Sequence, residues 1–240
     1  MTKRAMDFAA ALLGLILLSP LLIVVAVLVF VQDWRSPFYI APRVGRGGQL
    51  FRMRKFRTMV VGADRSGVTS TSSNDARITP LGQFLRRSKL DELPQLWNVL
   101  LGDLSLVGPR PNVPTGVAVY TDVERRLLSV RPGITDLASI VFADEGEILA
   151  GHADPDRAYD ELIRPWKSRL GLFYVERRTL LLDIRLVGLT LVAVLSRPRA
   201  LAAVAGILTN GGASPELVAV AGRTTTLEPA LPPGAIPSVY

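Results

Sequence analysis

Two adjacent carboxylates stand in the run Ser88-Lys89-Leu90-Asp91-Glu92-Leu93-Pro94-Gln95-Leu96-Trp97-Asn98-Val99-Leu100. The pattern places Asp91 and Glu92 at the first turn of an apolar helix. Pro94 suits a first-turn position, where a missing N–H has no helical partner to lose. An acid there gains from free backbone N–H groups and from the helix dipole. Arg86, Arg87 and Lys89 lie just upstream. A carboxylate kept ionised among cations is a nucleophile or metal ligand suited to phosphate chemistry. The same run also suits an ordinary acidic cap on a core helix, and the run alone does not choose.

Three further groups carry related chemistry. Arg52-Met53-Arg54-Lys55-Phe56-Arg57-Thr58-Met59 alternates charged and apolar side chains, as a half-buried strand does. It is either a cationic strand facing phosphates or an edge strand protected by its charges. Arg110 is fixed between Pro109 and Pro111 after Ser105-Leu106-Val107-Gly108. An arginine held on a restricted backbone suits two-pronged phosphate recognition, and equally a plain proline turn. Arg131-Pro132-Gly133-Ile134-Thr135 marks another turn. Gly45-Arg46-Gly47-Gly48 reads as a hairpin turn and not as a dinucleotide fingerprint, and no Walker A lysine motif occurs.

The composition bounds what these groups serve. The 240 residues suffice for one large domain or two small ones, 49% are hydrophobic and 20% are charged. That mixture suggests a globular domain joined to a membrane. A net charge of +7 favours anionic partners. The chain has no cysteine and one histidine, His152. Disulfides, thiol catalysis and multi-histidine metal sites are thereby excluded.

From Phe8 to Val31 no residue is charged. As a helix this stretch measures about 36 Å, enough to cross a bilayer. Ser19-Pro20 lies at its middle, where a proline breaks or kinks a helix. Lys3 and Arg4 precede the stretch, while Arg35, Arg43 and Arg46 follow it. Cations on both flanks suit a helix that enters one leaflet and returns; a kinked span also fits. Asp7 caps the stretch, pairs with a cation, or stays at the interface.

Further along, residues 62–79 read as a polar loop, a candidate lid. Residues 81–101 read as helical with a break near Ser88–Asp91, closed by Gly102-Asp103. The acidic residues of 141–161 read as a solvated surface, with His152 in a loop. Residues 155–195 read as amphipathic helix, bent or divided at Pro165. Trp166, Phe173 and Tyr174 with Arg164, Lys167, Arg169, Arg177 and Arg178 suit a helix lying on anionic lipid, or a core helix with a basic outer face. Asp183 and Arg185 argue against a second span. Residues 200–221 read as weakly helical and the last twenty or so as irregular tail.

Taken in order, these motifs resemble the bacterial sugar transferase family, the monotopic polyprenyl-phosphate phosphoglycosyl transferases, over roughly residues 3–195. The matching residues are Lys3-Arg4 with Asp7, Ser19-Pro20, Lys55 to Met59, Asp91 to Val99, Ser105 to Pro111 and Arg131 to Thr135. The resemblance implies transfer of a sugar-1-phosphate from a UDP-sugar to a polyprenyl (undecaprenyl) phosphate, with UMP leaving. It implies Asp91 as nucleophile, with an aspartyl-phosphosugar intermediate, and Glu92 as its partner. It also implies Mg2+ held by Asp91 and Glu92, and a re-entrant break at Ser19 and Pro20. Pro109, Arg110 and Pro111 then belong to the nucleotide or phosphate end. Lys55, Arg57, Arg86 and Arg110 would neutralise the donor diphosphate, which otherwise repels a carboxylate.

The expected architecture is α/β, mainly helical with a small sheet, in a monotopic membrane protein with interfacial amphipathic helices. The expected units are a membrane helix over 1–33, a catalytic domain over 34–198 and a tail over 199–240. The expected site is the cytoplasmic face of a bacterial inner membrane, with lipid but no nucleic acid as partner. The apolar tail could serve a homodimer contact. Two departures from the family pattern, Pro42 and Asp136-Leu137, bear on substrate identity. The competing functions are a peripheral glycosyltransferase that releases UDP and a non-catalytic basic protein that binds membranes.

Overall fold

The computed structural model describes residues 2–66 and 70–236. Residues 67–69 of the expected polar loop and the last four of the tail lie outside the described residues. The chain is mainly helical with little sheet, as expected. Helix α1 (Thr2–Val31) runs through Pro20 as one continuous helix. Pro20 has no N–H to give the carbonyl of Ile16; the Ser19 hydroxyl donates to that oxygen instead, at 2.8 Å.

Strands β1 (Phe38–Val44) and β2 (Leu50–Phe56) form an antiparallel hairpin in which Tyr39 faces Lys55. Its turn is the Gly45–Gly48 stretch, where Gly47 and Gly48 take positive φ. Helix α2 (Pro80–Arg87) is capped by the Thr79 side chain. Helix α3 (Gln95–Leu101) follows, and between the two lies a 3-10 turn, Leu90–Glu92. Strands β3 (Ser105–Val107) and β4 (Gly133–Thr135) make a short parallel pair. This pairing joins two of the sequence motifs. Gly108 and Gly133 meet backbone to backbone: a Cβ on Gly133 would lie 2.1 Å from the Gly108 nitrogen.

Short helices α4 (Pro114–Ala118), α6 (Glu145–Leu149) and α7 (Pro155–Ala158) lie between the longer ones, and the largest core packs α5 (Leu137–Val141), α8 (Arg164–Arg177), α9 (Leu180–Leu195), α10 (Arg197–Asn210) and α11 (Pro215–Gly222). Trp166, Phe173 and Tyr174 are buried in it. Helix α8 is therefore a core helix, not one lying on lipid, because α5, α11 and the 3-10 turn Glu124–Ser129 pack on it. Pro165 sits in its first turn, and a π turn over Tyr159–Ile163 precedes it. The apolar exposed face belongs instead to α9, with Leu181, Ile184, Leu191 and Leu195. Residues 197–222 are more ordered than the weak helix expected, and the expected boundary at 198/199 falls inside α10.

Two smaller clusters hold α1. Val25 and Val29 pack with Phe56 and Leu85, and Ala11 packs with Val99 and Leu104. Asp7 is buried and is neither a cap nor an interfacial charge: it accepts from Ser105 Oγ at 2.8 Å and from the Leu106 N–H at 3.2 Å. Lys3 pairs with buried Asp183 at 2.6 Å, and the Tyr174 hydroxyl donates to the same carboxylate at 2.6 Å. Both ends of α1 are thus bound to one folded body.

Candidate active site

Lys89 carries a left-handed backbone (φ 58°), costly for a residue with a Cβ. It ends α2 and turns the chain so that Asp91 and Glu92 occupy the 3-10 turn ahead of α3. The two acids therefore precede the helix, and neither caps it.

Asn98 fixes that turn against the hairpin. Its side-chain oxygen accepts from the Arg54 N–H at 3.0 Å, and its nitrogen donates to the Arg52 carbonyl at 2.8 Å. The same nitrogen reaches Asp103 at 2.9 Å. With α3 held on β2, the Lys55 ammonium reaches Glu92 Oε1 at 2.8 Å. Arg110 arrives from the β3–β4 side. It donates to Glu92 Oε2 at 3.2 Å and to Ile134 O at 3.3 Å, and its second nitrogen bonds Glu92 Oε1.

The neighbouring acids thereby differ. Burial opposes ionisation of Glu92, but the Arg110 guanidinium and Lys55 ammonium outweigh it and hold its carboxyl well below the usual range. Asp91 is only 6% exposed. Among the described residues its carboxylate accepts no hydrogen bond and joins no ion pair. Burial raises its proton affinity, and Lys55 pulls the other way. Arg86 donates to Thr58 Oγ1 at 3.0 Å, with burial depressing its proton affinity and Asp91 opposing that. Its neighbour Gly82 presses on Thr58: a Cβ there would lie 2.0 Å from the Thr58 carbonyl oxygen. An unpaired, desolvated carboxylate beside cations can attack phosphorus.

The structure thus gathers Lys55, Asp91, Glu92 and Arg110, with Arg86 beside them. Pro109 and Pro111 flank Arg110 as backbone supports. Arg57 stands elsewhere: it grips Asp33 with two nitrogens at 2.6 and 2.7 Å and the Ser36 carbonyl at 2.9 Å. Residue 57 lies past the end of β2, so Arg57 closes the junction after α1 and is not brought together with Lys55 and Arg110. Ser19 and Pro20 lie within α1.

Sequence reasoning missed Glu145 and Lys167, which form an ion pair on the Arg110 side. Lys167 lies one turn before Gly171 on α8; Gly171 makes room for the Leu127 side chain, with Pro109 in van der Waals range beside it. Asp144-Glu145 is one of three adjacent acid pairs in the sequence, with Asp91-Glu92 and Asp160-Glu161, a signal that does not single it out. Asp136 is buried as the cap of α5, accepting from Ser139 N–H at 2.7 Å and Ser139 Oγ at 2.6 Å. Among the described residues no three acids or histidines group as a metal cluster.

Comparison with known proteins adds kinship to this geometry. The model of the bacterial sugar transferase family matches residues 1–197. The chain is 34% identical over 199 residues to the UDP-N-acetylgalactosamine-undecaprenyl-phosphate N-acetylgalactosaminephosphotransferase of Aeromonas hydrophila, covering 81% of this chain and 44% of that one. It is 36% identical over 196 residues to the undecaprenyl-phosphate glucose phosphotransferase of Komagataeibacter xylinus, covering 79% and 35%. It is 35% identical over 206 residues to the exopolysaccharide production protein PSS of Rhizobium leguminosarum bv. phaseoli, covering 81% and 96%. The chain thus spans less than half the length of the first two relatives.

Proposed function

Because this chain belongs to the bacterial sugar transferase family, we propose that it moves a sugar-1-phosphate from a UDP-sugar to undecaprenyl or a similar polyprenyl phosphate and releases UMP. The observation that carries this reading is the division of labour between Asp91 and Glu92. Glu92 is saturated by Lys55 and Arg110, so it orders the cations that receive the diphosphate. Asp91 is left with an oxygen free for phosphorus.

In the first step an Asp91 oxygen attacks the β-phosphorus. The bond from that phosphorus to the bridging oxygen breaks, and UMP leaves with the electron pair. An aspartyl-phosphosugar remains. In the second step an oxygen of the polyprenyl phosphate attacks the same phosphorus. The bond to Asp91 breaks, and a polyprenyl-diphosphate sugar forms. Arg110 and Lys55 hold the phosphoryl oxygens through both steps, and Arg86 adds charge near the nucleophile.

A two-carboxylate group without histidine or cysteine fits Mg2+ and not zinc. Asp91, with its unpaired oxygens, would hold the ion, and Glu92 would join it once Lys55 or Arg110 shifts onto the diphosphate. When bound, it would neutralise diphosphate charge.

The acceptor's tail stays in lipid, at about 0.8 kcal/mol per CH₂, so the site must work at the bilayer surface. We read the molecule as monotopic, at the cytoplasmic face of the bacterial inner membrane, with α1 entering and leaving one leaflet. Supporting this, both ends of α1 are tied to the same body, whereas a spanning helix parts its ends. Leu13, Ile16 and Leu17 of α1 and the exposed face of α9 supply the apolar surface.

Asp91→Asn is expected to abolish UMP release and adduct formation while leaving the far-UV circular dichroism unchanged. An isotopic donor should mark Asp91 by mass spectrometry in the wild type without acceptor. Release of UDP instead of UMP, or normal turnover by the variant, removes the proposal. For topology, single cysteines at positions 2 and 36 should both resist an impermeant thiol reagent in intact cells and react after lysis. Labelling of just one in intact cells means a true span.

A further inference from the structure

We propose that Glu145 and Lys167 form the subsite that reads the hydroxyl groups of the donor's sugar, a role that rests on the reaction proposed above. In that reaction the sugar hangs from the phosphorus that Asp91 attacks. Its hydroxyls must meet side chains on the rim of the Arg110–Glu92 cluster.

The fold restricts what that rim offers. Arg110 bonds Ile134 of β4, and Asp136 two residues on begins α5. On the other side α8 packs on Pro109 at Gly171: a Cβ there would lie 3.6 Å from Pro109 Cβ. One turn earlier on the same face stands Lys167. Its ammonium pairs with Glu145 and lies 5.1 Å from the ring centre of Tyr159. Asp136 is consumed by its two bonds to Ser139 and is 2% exposed. Glu145 and Lys167 keep 30% and 19% of their side chains exposed. Arg110 and Glu145 each perturb the other's proton affinity, which agrees with their sharing one rim.

The pair has the right chemistry for a polyol. A carboxylate accepts from a hydroxyl, and an ammonium donates to it. Both side chains keep part of their surface open, so a hydroxyl can reach them without the pair first unfolding from the rim. It is also braced. Arg197 and Arg223 both bond Asp144 Oδ1 at 2.7 Å, directly before Glu145. Arg223 lies in the segment beyond the family match, where a support for one particular donor can differ from relatives.

The test uses the full-length protein in detergent with magnesium present. Calorimetry compares binding of UDP with binding of the preferred UDP-sugar, chosen from a panel by UMP release. In Glu145→Gln and Lys167→Met, the UDP-sugar should bind about tenfold more weakly while UDP binds as in the wild type. In turnover, donor KM should rise by a similar factor with kcat within about threefold, and the preference between donors epimeric at one carbon should fall towards unity. Glu145→Asp, which keeps the charge, should recover part of that preference. Equal weakening of UDP and UDP-sugar, or an unchanged donor preference in variants that retain wild-type thermal midpoints, overturns the assignment. A wild type that releases no UMP from any UDP-sugar overturns the underlying reaction and this role with it. Wild-type turnover with unaltered variant selectivity overturns this role alone.

Discussion

Replacing Asp91 by asparagine removes a buried charge that, among the described residues, no side chain pairs with. Folding raises the Asp91 carboxyl above its ordinary value near 3.8, through burial first and with Lys55 opposing. The folded state then binds the proton more tightly than the unfolded chain. Stability falls as pH rises from the ordinary value through the folded one, and stays lower above it. Asp91→Asn is therefore expected to melt at a higher temperature than the wild type at pH 7, with the gain disappearing below about pH 3.8. Glu92 has the opposite sign. Its folded carboxyl is lowered, so its contribution is full above the ordinary value near 4.5 and is lost as pH falls through the folded value. Glu92→Gln should melt below the wild type at pH 7. Thermal unfolding of the three proteins across pH checks this order. A lower midpoint for Asp91→Asn at pH 7 would mean that its carboxylate is paired after all.

The parallel contact of β3 and β4 carries Arg110 into place. Gly108 donates to Thr135 O at 3.1 Å and Gly133 to Pro109 O at 3.1 Å, across a gap that admits no side chain. Gly133→Ala forces the strands apart or breaks these bonds. The expected cost is about 3 kcal/mol or more, a fall of some 6–12 °C in Tm for a chain of this length. UMP release should fall further than Tm alone explains, because Arg110 moves with the strand; differential scanning with an assay at low temperature separates the two. This element was half legible. The Pro-Arg-Pro and Pro-Gly turns were visible as turns, but nothing local says that two turns 20-odd residues apart pair with each other. Similarly, the alternating 52–59 run was legible as a strand. Of its four basic residues, Lys55 and Arg57 have the same parity, and only the strand's end at Phe56 sends Arg57 to Asp33 and not to Glu92.

At the scale of the molecule, α10 and α11 complete the core. Leu201, Val204, Ile207, Leu208, Leu217 and Val220 are buried there. At about 1.5–3 kcal/mol each, their burial is on the order of 10 kcal/mol, comparable with the whole net stability of a domain. A chain ending at Ser196 is expected to aggregate or fail to melt cooperatively, read by size exclusion in detergent; a monodisperse truncated protein with a wild-type Tm would contradict this. The sequence by itself determined the apolar N-terminal helix, the break ahead of Asp91, the basic partners Lys55 and Arg110, and the family. Those features are local: they depend on residue types at fixed spacing along one segment. Only the tertiary structure decided that Asp91 stays unpaired while Glu92 is saturated, that Asp7 is buried, and that α8 lies in the core while α9 faces outward. It also decided that Glu145 and Lys167 meet near Arg110. Pairing and burial are set by which segments touch, and contacts between residues far apart in the chain leave no periodic trace in it.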